Sequence, residues 1–170
     1  YLANMLLLTL VLLLVAHLGF AQKQEWAVGL RAGEPTGLNI KKYLSGGNAI
    51  ELNLGRNGWG YYRGRNYWRG EFRNSIVLGI NYLWQKSTKT KGLDLYYGFG
   101  GQLSSRRYWN RDEEEERDAV GLGLTGVFGL EYFIPDVPIS IFVDFGPYLE
   151  LVPATAWINI DAAIGFRVNF

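Results

Sequence analysis

The sequence predicts an all-β chain: about eight antiparallel strands in up-and-down order, closed into a barrel that crosses a membrane. Three observations predict it. After residue 21, apolar residues alternate with polar or small ones at a period of two, which sets the two groups on opposite faces of extended strands. Clusters of Gly, Pro, Asn and Ser interrupt that alternation where hairpin turns would fall. The connections alternate between short and long, the first excepted, and Trp and Tyr gather at strand ends on the short-turn side, as a membrane interface favours.

Before the strands, Met5 to Ala16 is an almost unbroken apolar run, followed by Gly19-Phe20-Ala21 and polar Gln22-Lys23-Gln24. Small residues at the first and third of those positions fit a secretory signal peptide over 1–21, cleaved after Ala21, with one barrel domain over 22–170. An intact mass beginning at Gln22 checks that boundary. Cleavage there removes His17, so the mature chain would hold no His at all.

Composition bounds the chemistry. A length of 170 residues suits a single domain, and a formal net charge of +1 provides no broad field to attract nucleic acid. Without Cys the chain has no disulfide, no thiol nucleophile and no thiolate metal site. Near-neutral mean hydropathy suits a barrel, since only every second residue faces lipid.

The first strand sets Trp26, Val28, Leu30 and Ala32 against Gly29, Arg31 and Gly33. Glu34-Pro35-Thr36-Gly37 turns the chain, and the second strand sets Leu38, Ile40 and Leu44 against Asn39, Lys41 and Tyr43. Lys42 has the lipid parity but lies near a strand end, where its long stem can carry the charge to the interface. After Ser45-Gly46-Gly47-Asn48, the third strand places Ile50, Leu52 and Leu54 outside, with Glu51 and Asn53 inside. A long loop over 55–70 follows. The fourth strand sets Phe72, Ile76, Leu78, Ile80, Tyr82 and Trp84 against Arg73, Ser75, Gly79 and Asn81. Across the polar turn 85–92, the fifth sets Leu93, Leu95, Tyr97, Phe99 and Leu103 against Asp94, Tyr96, Gly98, Gly100 and Gln102. Residues 104–118 read as a second charged loop. The sixth strand sets Val120, Leu122, Leu124, Phe128, Leu130 and Tyr132 against Gly121, Gly123, Thr125, Gly129 and Glu131. Past Pro135-Asp136-Val137-Pro138, the seventh sets Ile139, Ile141, Val143 and Phe145 against Ser140, Phe142, Asp144 and Gly146. A loop of about ten residues leads to the last strand, a length such loops reach. There Ile158, Ile160, Ala162, Ile164, Phe166, Val168 and Phe170 oppose Asn159, Asp161, Ala163, Gly165, Arg167 and Asn169.

The last strand, ending on an aromatic residue, resembles the carboxy-terminal assembly signal of Gram-negative outer-membrane barrels, carried here by Ile164, Phe166, Val168 and Phe170. The segment from Arg31 to Leu44 also resembles the opening hairpin of many small barrels of the OmpA/OmpX-like eight-stranded class. That resemblance implies integral residence in the outer membrane of a Gram-negative bacterium, with outer-membrane lipid and lipopolysaccharide as neighbours. It also implies insertion by the barrel-assembly machinery. It implies no biochemical activity, because one barrel scaffold carries pores, adhesins, enzymes and purely structural proteins.

The inward charges are the first candidate site: Arg31, Lys41, Arg73 and Arg167 with Glu51, Asp94, Glu131, Asp144 and Asp161. They could form an ion or proton path. The simpler reading is a network of ion pairs filling a lumen that eight strands leave just wide enough for side chains. Both signs occur in similar number, as pairing requires, and inward Gly residues leave room for the long side chains. Arg73 and Asp94 sit on strands joined across the 85–92 turn, so their inner faces adjoin.

The loop 55–70 combines Arg56, Arg63, Arg65 and Arg69 with Trp59 and Trp68, a pairing suited to lipopolysaccharide phosphate or a surface glycan. Its plainer reading is a solvated loop with aromatics at the outer interface. With 104–118, it is the candidate contact for an extracellular ligand. The acidic run Asp112 to Glu116 lacks the Gly-punctuated spacing of a calcium loop, and no cofactor or metal is expected.

Barrel enzymes that modify lipid acyl chains rely on His with Ser or acidic partners, and the mature chain has no His for that role. A soluble lipid-binding barrel would carry the apolar parity inside. The expectation is a non-enzymatic barrel with a structural or surface-interaction role and an interior of paired charges. A narrow pore for ions or small solutes is the alternative.

Overall fold

The computed structural model describes residues 25–57, 71–110, 114–153 and 155–170. Eight strands form one closed barrel: β1 (Trp26–Gly33), β2 (Thr36–Leu44), β3 (Asn48–Arg56), β4 (Glu71–Ser87), β5 (Leu93–Asn110), β6 (Glu115–Phe133), β7 (Ile139–Val152) and β8 (Trp157–Asn169). Each strand pairs antiparallel with its successor, and β8 returns to β1 with Leu30 opposite Phe166. Closure leaves no edge strand to be satisfied. The signal-peptide segment 1–21 lies outside the described residues.

The period of two sorts residues as expected. β7 alternates exposed and buried from Ile139 to Glu150 without a break except at half-buried Leu149. Outside stand Leu30, Ile80, Phe99, Leu124, Phe145, Ile158, Ile164 and Phe166, all exposed. Inside, Lys41, Glu51, Glu131 and Arg167 are fully buried. The interior is not purely polar, because Val77, Leu83, Tyr96, Phe142 and Tyr148 are buried there too.

The end holding both strand termini, Trp26 and Phe170, carries the turns 45–47, 88–92 and 134–138; it is called the near end below. Gly46 and Gly47, at φ of 82° and 79°, supply the left-handed backbone that the first of these turns needs. Trp84 stacks on Tyr97 at 5.7 Å and meets Tyr82 edge-on at 5.2 Å, an aromatic girdle on the outer face near this end.

The strands differ from the sequence expectation in length. β1 to β3 have 8, 9 and 9 residues, whereas β4, β5 and β6 have 17, 18 and 19. The charged stretch 104–118 is therefore mostly a β-hairpin, with Arg107 in register with Asp118 and Asn110 with Glu115. Backbone pairing needs no apolar face, so a run of charge does not by itself mark a loop. The expected ten-residue connection shrinks to 153–156, with β7 extended to Val152. Irregularities accompany the extensions, one in β4 between Phe72 and Asn74 and one where Leu122 and Gly123 meet β7.

Candidate functional site

Arg167 is the centre of the interior. β8 projects it inward from a register position between Ser140 of β7 and Gly29 of β1. Its Nη1 donates to Glu131 Oε1 at 2.7 Å, its Nη2 to Glu51 Oε2 at 2.6 Å, and its Nε to Asn39 Oδ1 at 2.5 Å. The guanidinium lies 3.7 Å from the centre of the Phe142 ring. One side chain thus ties β8 to β2, β3 and β6 through the lumen.

Glu131 is the second hub. Besides Arg167 it accepts from Lys41 Nζ at 2.7 Å, Ser140 Oγ at 2.8 Å and Tyr43 Oη at 2.9 Å. Glu51 accepts further from Asn53 at 3.0 Å and Asn81 at 3.3 Å, and Thr125 donates to Asn81 Oδ1 at 2.7 Å. A carboxylate in a low-dielectric interior is tolerated when cations and donors surround it, and both carboxylates meet that condition.

A second cluster lies toward the far end. Arg31 Nη1 donates to Asp144 Oδ2 at 3.0 Å and Nη2 lies 3.0 Å from Oδ1, a two-pronged pair. The same guanidinium donates to the carbonyls of Glu34 and Pro35 at 3.0 and 3.1 Å, which fixes the β1–β2 turn. Tyr96 bridges the clusters, donating to Asp144 at 3.0 Å while Lys41 Nζ sits 4.4 Å from its ring centre.

Three inward glycines create the space for this arrangement. A Cβ at Gly129 would overlap the Tyr96 ring, one at Gly123 the Tyr148 ring, and one at Gly165 the Phe142 ring. Gly129 stands in register between Tyr96 and Asp144, so its missing side chain is what lets the tyrosine cross to the aspartate.

Two cavities flank the network. A cavity of about 360 Å³ opens at the near end among Tyr43, Gln85, Asp94, Phe133 and Asn169. On the other side, between Arg31, Asn81, Asp144 and Asp161, is a space of about 20 Å³, room for a single water.

Of the nine inward charges expected from sequence, Arg31, Lys41, Glu51, Glu131, Asp144 and Arg167 form this connected set. Asp94 lies at the near cavity and reaches the set only through Gln85, whose Nε2 donates to Asp94 at 3.0 Å and to Glu131 Oε2 at 3.5 Å. Asp161 accepts from Asn159 at 3.0 Å toward the far end. Arg73 falls at the irregularity in β4, and its side chain lies outside the described residues. Although their strands pair, Arg73 and Asp94 lie at opposite ends of β4 and β5: Asp94 is opposite Ser87, and Phe72 is opposite Tyr108. The inner faces of the two strands adjoin as expected, and register sets these two residues at opposite ends of them.

Sequence reasoning about site residues passed over Asn39, Tyr43, Asn53, Asn81, Gln85, Tyr96 and Ser140. All share the inward parity already read for the charges, Gln85 by continuing the fourth strand into the expected turn 85–92, and that parity, together with the need of a buried carboxylate for neutral donors, was the available signal. Ile164 and Phe166 are exposed on the outer face of β8 and Val168 is half-buried in register with Val28, while Phe170 exchanges backbone hydrogen bonds with Trp26. Arg56 ends β3 exposed; Trp59, Arg63, Arg65, Trp68 and Arg69 lie outside the described residues, as do Asp112 and Glu113 of the acidic run.

No protein-family model matches the chain, and no curated protein sequence matches it significantly. Solved structures do. The amino-terminal β-barrel domain of Pseudomonas aeruginosa OprF matches with a TM-score of 0.60 at 14% identity, over 88% of this chain and 100% of that one. Neisserial surface protein A matches with a TM-score of 0.53 at 13% identity, over 85% of this chain and 93% of that one. Closed eight-stranded topology, outward apolar parity and these two likenesses together show that the chain has the OmpA/OmpX-like eight-stranded barrel fold.

Proposed function

We propose that the protein is a non-enzymatic integral barrel of a Gram-negative outer membrane, with a structural or surface-interaction role and a lumen occluded by paired charges. The observation that carries this reading is the double sorting of side chains. Leu, Ile, Val and Phe stand exposed on the outer wall, where water would penalise them, while Arg167, Lys41, Glu51 and Glu131 are fully buried within. Only a lipid surround makes both halves favourable. Membrane lipid and lipopolysaccharide are the proposed neighbours of the wall. The assembly machinery would read Ile164, Phe166, Val168 and Phe170, and the far-end segments 55–70 and 104–118 would meet any extracellular ligand. Placing the near end at the periplasm follows from the short turns gathered there.

A narrow pore is the second reading, favoured by the cavities on either side of the Arg167 network. Against it, the cations and anions are joined at 2.6–2.7 Å across the lumen. Cell fractionation with gel migration of heated and unheated samples tests membrane residence. Recovery in the outer-membrane fraction, with a mobility shift on heating, is expected. A soluble protein of unchanged mobility would overturn the proposal.

A further inference from the structure

The near-end cavity has a chemistry that the network does not use. Its wall includes Tyr43, Gln85, Ser87, Asp94, Phe133 and Asn169, and neither Lys nor Arg lines it. Asp94 points into it from β5. Unlike Glu51, Glu131 and Asp144, this carboxylate meets no cation among the described residues; its one partner is the amide Nε2 of Gln85 at 3.0 Å. Lys41 pairs with Glu131 at 2.7 Å and makes no ion pair with Asp94. Gln85 Oε1 is buried and also has no hydrogen-bond donor. A carboxylate without a cation and an amide oxygen without a donor therefore stand beside a cavity whose walls include the rings of Tyr43 and Phe133, 6.1 Å apart and tilted by 54°. A volume of about 360 Å³ lies at the lower end of the small-ligand range, about 300–1,000 Å³.

From this arrangement we infer that the near-end cavity binds an organic cation: a primary ammonium or guanidinium on a short apolar stem. The charge would sit at Asp94 and the stem against the Tyr43 and Phe133 rings that line the cavity. The carboxylate supplies a charge-assisted hydrogen bond, the rings supply dispersion and cation–π attraction, and an anion would meet the Asp94 carboxylate with no Lys or Arg on the wall to offset it. A diffusible amine and a lysine side chain of another protein carry the same chemistry. The site depends on the barrel fold alone, so it stands or falls separately from membrane residence and from occlusion of the lumen.

The test uses the full barrel refolded in neutral detergent micelles, titrated with butylammonium, with butanol as the uncharged analogue. Backbone amide shifts of Gly47, Asn48, Ser87 and Asp94 are the readout. Saturable shifts at these amides are expected, with a Kd on the order of 1 mM for so small a ligand. Asp94→Asn should weaken binding about tenfold, the effect of one lost charge–hydrogen-bond interaction. Asp136→Asn, in the exposed near-end turn, should change nothing. Ser87→Lys offers a second route that leaves Asp94 in place. Ser87 is the register partner of Asp94, so the new ammonium should occupy the site and block the probe. A lysine-containing tripeptide that binds at least as tightly as butylammonium points to a protein side chain as the source. A preference for the free amine points to a small solute. Equal affinity for butanol, unchanged binding in both Asp94→Asn and Ser87→Lys, or no saturable shift at these amides would each overturn the proposal.

Discussion

The two interior ion clusters differ in connectivity more than in chemistry. Arg167 reaches two carboxylates on two strands, and one of them, Glu131, also holds Lys41. Arg31 reaches one carboxylate, Asp144, and gives its remaining donors to the carbonyls of Glu34 and Pro35 beside a space large enough for one water. Removing a member of the first cluster strands several partners in a dry interior. Removing a member of the second leaves groups that water can reach. A buried charge is thus tolerated according to how many partners share it, and the penalty for its loss follows the same count.

The largest expected effect is therefore at Arg167. Arg167→Leu leaves Glu51 with amide donors only and should cost about 3–5 kcal/mol, read as a lower urea unfolding midpoint in detergent. A loss under about 1 kcal/mol would place water around Glu51 and erase the contrast with Arg31.

Arg31→Ala should cost less, about 1–3 kcal/mol, the range for leaving buried hydrogen-bonding groups unmet. Equal losses at the two arginines would break the comparison. A double-mutant cycle between Glu51 and Arg167 should give a coupling of about 1–3 kcal/mol. The cycle between Glu51 and Arg31 should give less, because no contact joins them.

Gly129→Ala sharpens the point about the bridge. The added methyl would displace the Tyr96 ring, which links Lys41 to Asp144, and overpacking of this kind costs about 1–3 kcal/mol. Tyr96→Phe should restore little of it, since it removes the hydroxyl but keeps the ring that collides.

Asn169→Ser is the mildest interior change, about 1 kcal/mol, removing hydrogen bonds with Ser140 and Tyr43 at 3.2 and 3.3 Å. The neighbouring Phe170→Asp acts on assembly instead. It should lower membrane yield while Asn169→Ser leaves yield near that of the parent, and equal yields for both would count against the assembly reading of β8.

Much of this architecture was legible in the sequence because a strand has a rigid period. Parity alone separated Ile164 and Phe166 from Arg167 and put Lys41, Glu51, Glu131 and Asp144 on the polar face, while the terminal Phe170, the aromatics at strand ends and the glycines chose that face as the inner one. Parity could not choose partners. Arg167 and Glu51 are 116 residues apart and meet across the lumen, so their pairing depends on register and strand tilt accumulated around the barrel. Register also sets Arg73 and Asp94 at opposite ends of two adjoining strands, a separation that parity carries no information about. The β5–β6 extension was hidden for a different reason. The sequence from Arg106 to Asp118 is charged or polar at almost every position, so it carries no alternation to betray the pairing of Arg107 with Asp118.

Single-channel recording in planar lipid bilayers tests the occluded interior most directly, with the parent protein and Arg167→Leu measured beside their unfolding midpoints. Little conductance is expected from the parent and a marked loss of stability in the variant, since the ion pairs fill the lumen and support the wall. A stable, large, voltage-independent conductance from the parent, with Arg167→Leu changing ion selectivity and leaving stability untouched, would contradict an occluded interior.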